Sequence, residues 1–432
     1  MRHSEPKALT DTIIKLSCQE ILIGMFIAEI DCSWTETPFP IGGFHIKRSE
    51  DIQMLAKYCR SVHIDTTRGA VPARLKQENL TILSSARKAS PQAAGFKINR
   101  NLYRVTSNIK KQLDSSSDHY QDLLKTFAAI TENVRQGEKL NFSALDSSVD
   151  ALIDSAAANT QTLIWILNTD PSPIAATDYC VRAAIWATLC ACHMGLPRAE
   201  IQALFVGTLL CDIGLHLLPE RLVNKRVKFR KKEFLAYKKH VNFSVDLLSS
   251  HSEVDEKIMR IVRCHHERND GLGFPKGLKG EQIPALARLA HLGYSFERLL
   301  RSLSETASVS PARAIARLYK QRDLKFPEQL IVEFIHLMGM YPLGTLVELN
   351  SGEIAIVLEQ HPNEKLNPKV AILTGVDQMK VEKPFVVQLG EGDSGRSVLS
   401  SLGPKHKGVR ASDYRFSFAG RRLAIGGFGI RF

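Results

Sequence analysis

Residues 265–284 read HHERNDGLGFPKGLKGEQIP, and this stretch decides the prediction of the fold. Six of its twenty residues are Gly or Pro, a density that regular helices and strands do not tolerate, so a shaped loop is predicted. The stretch opens with His265 and His266, and imidazoles suit transition metals. Backbone amides beside Lys276 and Lys279 suit phosphate. The pattern therefore predicts a metal site next to an anion-binding loop, and the alternative is a surface turn with incidental histidines.

The stretch resembles the signature of the HD-GYP family, bacterial phosphodiesterases that open the cyclic dinucleotide cyclic di-GMP. The family pattern reads HHExxDGxGYPxGLxGxxIP, and every fixed position matches except Phe274, which replaces a tyrosine. The resemblance implies a mainly α fold, an HD-type helical bundle that holds metal ions. Within the loop we expect a phosphate-binding group for cyclic di-GMP or a related dinucleotide. Its members are Lys276, Lys279 and the amides beside Gly273 and Gly277.

The resemblance also implies a set of metal ligands on several helices. Asp212 in CDIGLHLLP, His240 in KKHVNFSVDLL, and the pair His265 and His266 match ligand positions of the family. We expect the bundle to bring these four side chains within ligand distance of one another. They suit a divalent transition metal such as Fe, Mn or Zn.

Other positions of the family site are replaced. Tyr179, Cys211 and Tyr294 stand where the family has ligands, and Leu215 stands where it has a catalytic lysine. Tyrosine titrates near pH ~10, thiolate prefers softer ions, and leucine cannot stabilise phosphate charge. Removing one charge-stabilising donor typically costs on the order of 10²–10³ in turnover. We therefore expect one bound ion or none, and weak or absent hydrolysis.

His216 lies four residues after Asp212, and on a continuing helix it would share that residue's face. It is a candidate to replace a lost ligand. The favoured interpretation is a surface residue near a helix end.

Three functions stay open. The favoured one is a degenerate HD-GYP signalling protein that acts by binding cyclic di-GMP. The second is an active phosphodiesterase in which Asp212 would be catalytic, and the third is a nucleic-acid-binding or protein-binding adaptor with a vestigial site. The intact glycine loop argues against the adaptor, and the replaced positions argue against full activity.

At 432 residues the chain is too long for one ordinary domain, and two or three are expected. The phrases IGMFIAEID and SWTETPF resemble a small N-terminal domain of unknown function that often precedes HD-GYP domains. Strand patterns such as TLVEL and EIAIVLEQ predict a short β extension after the bundle. The predicted order is a small α/β domain (8–68), a linker (69–98), a helical connector (99–170), the helical HD-GYP-like domain (171–340), the β extension (341–392) and a basic tail (393–432).

Composition predicts a cytoplasmic protein without membrane insertion. The sequence lacks a run of eighteen apolar residues and a recognisable secretion signal, and its eight cysteines form no CxxC pair. The net charge is +12, and eight Lys or Arg fall within 224–239. Basic segments indicate an anionic partner, although a helix face exposed to solvent can have the same basic composition. A protein partner and a homodimer both stay open.

Overall fold

The computed structural model describes most of the chain in two compact units, Met1–Ser90 and Pro91–Phe432. The described residues are 13–32, 37, 39, 43–65, 92–93, 95–138, 140, 143–170, 176–223, 229–251, 254–301, 309–361, 364–390, 395–414, 416–417, 423–425 and 428–430. Most of the predicted linker therefore lies outside the described residues, as do residues 224–228 of the basic segment.

The first unit is a small antiparallel sheet with one helix. Its strands are β1 (Ile13–Ser17), β2 (Phe26–Ile30), β3 (Phe44–His45) and β4 (Ser61–Asp65), and its helix is α1 (Ser49–Tyr58). The strands lie in the order β1-β4-β2-β3. Along β4, Val62 and Ile64 alternate into a core that also contains Met25, Phe39 and Leu55. This alternation is the period of a strand with one buried face.

The second unit is built mainly of helices. They are α2 (Ile109–Arg135), α3 (Ser143–Ala158), α4 (Thr160–Thr169), α5 (Ala176–Met194), α6 (Arg198–Leu210), α7 (Glu220–Val223), α8 (Lys231–Lys238), α9 (His240–Ser249), α10 (Glu256–Cys264), α11 (Ala285–Leu300), α12 (Pro311–Tyr319) and α13 (Glu328–Met338). Helix α5 packs against both α6 and α11. Helices α2 and α3, which fall in the predicted connector, also pack against α5. The connector is therefore part of the same compact unit.

The contact between α5 and α11 is close because Gly293 has no side chain. A Cβ atom at Gly293 would lie 2.4 Å from the carbonyl oxygen of Ala183. Beside this contact the two helices share a buried ion network. The Glu297 carboxylate, fully buried, accepts hydrogen bonds from Arg182 Nε and Trp186 Nε1, each at 2.8 Å, and is paired with Arg301.

Strands close the second unit. They form a five-stranded antiparallel sheet of β7 (Leu346–Leu349), β8 (Ile354–His361), β9 (Glu364–Thr374), β10 (Lys380–Gln388) and β11 (Val398–Ser401) in the order β10-β9-β8-β7-β11. A hairpin of β5 (Gln92–Ala93) and β6 (Phe96–Lys97) precedes the helices, and short strands follow the sheet at β12 (Lys405–His406), β13 (Val409–Arg410), β14 (Phe416–Ser417), β15 (Leu423–Ile425) and β16 (Phe428–Ile430).

The structure differs from the sequence prediction in the basic tail. Residues 393–432 carry no clear period, yet β11 within them pairs antiparallel with β7 and completes an edge of the sheet. A four-residue strand offers too few positions for its alternation to be detected. The overall class is confirmed: a mainly α protein with a small α/β N-terminal unit and a C-terminal β extension.

Among the described residues, one stretch is long and apolar enough to cross a membrane by composition, Arg198–Leu217. It comprises α6 and the 3₁₀ turn that follows, and 67% of it is buried inside the fold. It serves here as a core element of the bundle.

We predict that Glu297→Ala destabilises the second unit by about 3–5 kcal/mol. The substitution removes the carboxylate that bonds Arg182 at 2.8 Å and leaves this buried guanidinium with Asp170, 3.7 Å away, as its carboxylate partner among the described residues. Arg198→Ala is the control, since Arg198 pairs with Asp150 and Asp154 at the surface and its loss should cost about 0–1 kcal/mol. Guanidinium unfolding of both variants measures the difference. Equal destabilisation would contradict the importance of the buried network.

Candidate metal centre

Four side chains converge where three helical elements begin or end. Asp212 follows α6 and precedes a 3₁₀ turn, Ile213–Leu217. His240 is the first residue of α9, and His265 and His266 follow directly after α10. The structure thus brings together the four residues that the family resemblance singled out, and they come from three separate blocks of the chain.

The ligand atoms of the four side chains lie within 4.8 Å of one another. Asp212 Oδ1 is 3.1 Å from His240 Nε2, 3.3 Å from His265 Nε2 and 3.9 Å from His266 Nε2. The Nε2 atoms of His240 and His266 are 3.1 Å apart. Ligands bound to one ion at about 2.0–2.2 Å are themselves roughly 3–3.6 Å apart, so these spacings fit a single ion.

Two of the histidines are each oriented by the end of the helix that precedes them. His240 Nδ1 donates to the carbonyl of Tyr237 at 2.6 Å, and His265 Nδ1 donates to the carbonyl of Val262 at 2.8 Å. Both acceptors lie in the last turn of a helix, where carbonyls lack a partner within the helix. Because a carbonyl only accepts, Nδ1 carries the proton and Nε2 faces the centre, which is the usual orientation of a metal-binding histidine.

The charge of the cluster also suits a cation. Burial alone would raise the pKa of Asp212, but hydrogen bonds with His240 and His265, whose protons at Nε2 occupy the place that an ion would take, hold that pKa well below its usual range. Burial and the neighbouring His265 keep the pKa of His266 well below the ordinary histidine value. The group therefore presents a buried carboxylate and a neutral imidazole. A buried carboxylate needs positive charge beside it, supplied by protons or by a metal.

Gly214 permits the close approach that the cluster requires. A Cβ atom there would lie 2.3 Å from the carbonyl oxygen of His240 and 2.5 Å from the amide of Ser244. The Gly214 amide donates to Ser244 Oγ at 2.9 Å, and that hydroxyl donates to the carbonyl of Cys211 at 2.8 Å. The turn after Asp212 is thereby fixed directly against α9.

Glu267 organises the glycine-rich loop, a role that sequence reasoning missed. Its buried carboxylate accepts from the amides of Lys276 at 2.7 Å and Leu278 at 2.9 Å, so it ties the second half of the loop to the histidine pair. His291 donates its Nδ1 proton to the carbonyl of Glu267 at 2.8 Å. In the sequence, the feature that could have indicated this role is the position of Glu267 directly after the two histidines.

The loop's amides are largely engaged within the loop, contrary to the expectation that they face phosphate. Besides the two amides bound to Glu267, the amide of Phe274 donates to His266 O and that of Gly271 to Arg268 O. Gly273 is needed for packing, since a Cβ would lie 2.4 Å from the amide of Arg268. The side chains of Lys276 and Lys279 are exposed.

The replaced ligand positions border the same carboxylate. Burial raises the pKa of Tyr179, Cys211 and Tyr294 well above their usual values, and the charge of Asp212 adds to the effect. Each proton has an internal acceptor: Tyr179 donates to Tyr294 O at 2.8 Å, and Cys211 and Tyr294 donate to Thr208 O at 3.1 and 3.3 Å. This side of the site is therefore filled by neutral, protonated groups.

His216 is not among the ligand atoms that converge at Asp212 within the described residues. It is half-buried, and burial with the nearby Arg135 lowers its pKa to about 4. The turn after Asp212 is a 3₁₀ helix, so the four-residue spacing of an α-helix face does not apply. Half-buried Leu215 brings no charge to the site.

An aromatic cover lies over the histidines. Phe274 stacks on His266 with ring centroids 4.3 Å apart, and Phe234 of α8 meets Phe274 edge-on at 6.0 Å. Lys238 places Nζ 4.7 Å from the Phe234 ring centroid and 5.0 Å from that of Phe274. The described part of the basic segment thus brings a cation beside the cluster, which sequence reasoning did not assign to a particular residue.

Comparison with known proteins agrees with this geometry. The family model of the HD domain matches residues 158–330, and that of a domain of unknown function (DUF3391) matches residues 13–145. The fold and the histidine–aspartate cluster accordingly define an HD-domain protein. The matched range includes residues 265–284, which confirms the resemblance of this stretch to the signature of an HD-type phosphodiesterase family.

Several known proteins are similar to this chain over part or most of its length. The chain is 25% identical to the cyclic di-GMP phosphodiesterase PA4108 of Pseudomonas aeruginosa over 87% of this chain and 89% of that protein. It is 30% identical to the cyclic di-GMP phosphodiesterase response regulator RpfG of Xanthomonas campestris over 34% of this chain and 39% of that protein. Among solved structures, Bd1817, an HDG"Y"P protein from Bdellovibrio bacteriovorus, matches 75% of this chain and 98% of its own at 18% identity and a TM-score of 0.44.

We predict that His265→Ala weakens binding of Mn²⁺ or Zn²⁺ by about 100-fold or more, since even a group that only orients a ligand is worth about 10–100-fold in affinity. His216→Ala is the matched control and should bind as the wild type does. Titration calorimetry with the metal-stripped full chain measures both. Tight binding by the His265 variant, or loss of binding in the control, would contradict this centre.

Proposed function

We propose that the chain is a signalling protein that binds cyclic di-GMP, or a related cyclic dinucleotide, at a centre holding one metal ion, with weak or absent hydrolysis. Asp212, His240, His265 and His266 would hold the ion. Three imidazole nitrogens and one carboxylate oxygen suit Zn, Fe or Mn.

A divalent ion bound there would polarise a phosphate group and lower the pKa of a bound water. The protein's own contribution is positioning. The backbone carbonyls of Tyr237 and Val262 hold the histidine protons away from the centre. Phe274 covers one face of His266.

The observation that carries the proposal is that Tyr179, Cys211 and Tyr294 are protonated and hydrogen-bonded within the protein. Their protons are committed to backbone carbonyls, and burial keeps their pKa values far above neutrality. A second ion at this side would have to displace three buried protons and three hydrogen bonds. Two-metal sites act as a unit on both the attacking and the leaving oxygen, so a single ion loses much of that stabilisation.

Binding is supported independently by the positive charge around the centre. Lys238 lies over the aromatic cover, and Lys276 and Lys279 project from the loop. A cyclic dinucleotide carries two phosphates, and charged hydrogen bonds to phosphate are among the stronger polar contacts. The contribution of these lysines to binding does not require the metal ligands that are replaced at Tyr179, Cys211 and Tyr294.

We predict turnover of cyclic di-GMP well below roughly 1 s⁻¹ in the wild type, whichever metal is supplied. A gain-of-function variant tests whether the replaced ligand and lysine positions are the cause of this low turnover. Cys211→His with Tyr294→Asp and Leu215→Lys introduces two ligands and a cation, and it should raise both the metal content per chain and the rate of hydrolysis. Metal analysis and chromatography of the nucleotide products measure these quantities.

The matched control is Cys211→Ala with Tyr294→Phe, which removes the same polar groups without adding ligands and should leave metal content and turnover at wild-type levels. Rapid turnover by the wild type would favour the active phosphodiesterase, in keeping with the name of its Pseudomonas aeruginosa relative, a cyclic di-GMP phosphodiesterase.

We predict that Lys276→Ala with Lys279→Ala raises the Kd for cyclic di-GMP about tenfold or more, because each lysine would contribute a charged hydrogen bond to phosphate. Calorimetry with metal present gives the affinity. The control is Lys111→Ala with Lys257→Ala, which removes equal charge from exposed positions near the first turns of α2 and α10, away from the loop. Absence of binding by the wild type would refute the proposal in favour of the adaptor.

A further inference from the structure

The first unit contains a group of cysteines that the metal centre does not use. Cys32 Sγ and Cys59 Sγ lie 3.1 Å apart, and Cys18 Sγ donates to the carbonyl of Cys59, also at 3.1 Å. Cys32 lies two residues after β2, and Cys59 lies two residues before β4. These strands pair with Ile30 opposite Val62, so the sheet itself brings the two sulfurs together.

We infer that Cys32 and Cys59 form a reversible disulfide when the protein meets a hydroperoxide, which makes the first unit a site of redox modification. The separation of the two sulfurs is the primary support, since closing 3.1 Å to a bond of about 2.05 Å needs only a small movement. Exposure adds to it: all eight cysteines are described, and Cys32 alone among them is not buried.

A metal site is the competing explanation, because the ligand atoms of Asp31, Cys32 and Cys59 lie within 4.8 Å of one another. Two thiolates on one zinc ion at about 2.3 Å would be roughly 3.7 Å apart, which is wider than the pair observed. The Asp31 carboxylate is also committed elsewhere. It accepts from the amides of Arg60 at 3.2 Å and Ser61 at 2.8 Å and from the Ser61 hydroxyl at 3.1 Å.

The accessible sulfur would react first. The Cys32 thiolate attacks one oxygen of the hydroperoxide and breaks the O–O bond, which yields a sulfenic acid at Cys32 and releases water or an alcohol after proton transfer. Cys59 then attacks the Cys32 sulfur as its thiol proton passes to the leaving hydroxide, so that the S–S bond forms, the S–O bond breaks, and water leaves. The two thiols together lose two electrons and two protons, and the peroxide is reduced.

The environment of Cys59 suits the second role. Burial is the main cause that raises its pKa, and the hydrogen bond with Cys32 adds to it, so Cys59 stays protonated and is inert on its own. Reactive cysteines have exposed thiolates, whereas buried thiols react only when a partner is delivered to them. The pair is therefore an ordered one, with Cys32 as the attacking sulfur and Cys59 as the resolving sulfur.

The test exposes the metal-stripped full chain to hydrogen peroxide, blocks remaining thiols with N-ethylmaleimide under denaturing conditions, and reads intact mass and cross-linked peptides. We expect two of the eight thiols to be lost as a Cys32–Cys59 cross-link and regained with dithiothreitol. Cys32→Ser should lose no thiols. Cys59→Ser should instead accumulate a sulfenic acid at Cys32 that dimedone traps. Cys18→Ser is the matched control and should form the wild-type cross-link.

Three results would overturn the inference. These are retention of all eight thiols in the oxidised wild type, a cross-link that joins Cys18 or any cysteine of the second unit, and tightly bound zinc that shields Cys32 and Cys59 from alkylation before stripping. Circular dichroism verifies that each variant is folded, and Cys32→Ala replaces Cys32→Ser if the hydroxyl disturbs the unit.

Discussion

The buried carboxylate of Asp212 facing three imidazole nitrogens is the interaction on which the second unit depends. His240 and His265 cannot turn away, because their Nδ1 protons satisfy carbonyls at helix ends. Such a group is unfavourable unless positive charge is held at its centre. The surrounding fold positions it: Gly214 lets the turn approach α9, and the Arg182–Glu297 network joins the two helices, α5 and α11, that carry Tyr179 and Tyr294.

The two sides of this carboxylate differ in chemical character. On one side, nitrogen lone pairs converge as metal ligands do. On the other, Tyr179, Cys211 and Tyr294 donate their protons to backbone carbonyls and resemble a packed core more than a ligand set. The match to the HD domain therefore accounts for the fold and the first side, whereas the second side departs from the pattern that residues 265–284 led us to expect.

Sequence could predict what depends on local pattern. The blocks around Asp212, His240 and His265 each carry enough fixed residues to be aligned, and alternating apolar residues predicted β7 to β10. Contacts between segments that are separated in the sequence could not be predicted from it. Examples are the hydrogen bonds of the Glu267 carboxylate to the loop, the close approach of Gly214 to α9, and the pairing of β11 with β7. His216 illustrates the limit, because its helical spacing from Asp212 assumed an α-helix where the chain forms a 3₁₀ turn.

Anomalous diffraction from crystals grown with Mn²⁺ and cyclic di-GMP tests the central claim most directly. The account predicts one anomalous peak per chain, within bonding distance of Asp212, His240, His265 and His266, with the dinucleotide intact beside it. Two peaks about 3.5–4 Å apart, with Tyr179, Cys211 or Tyr294 bound to the second ion or with cleaved nucleotide in the site, would contradict it.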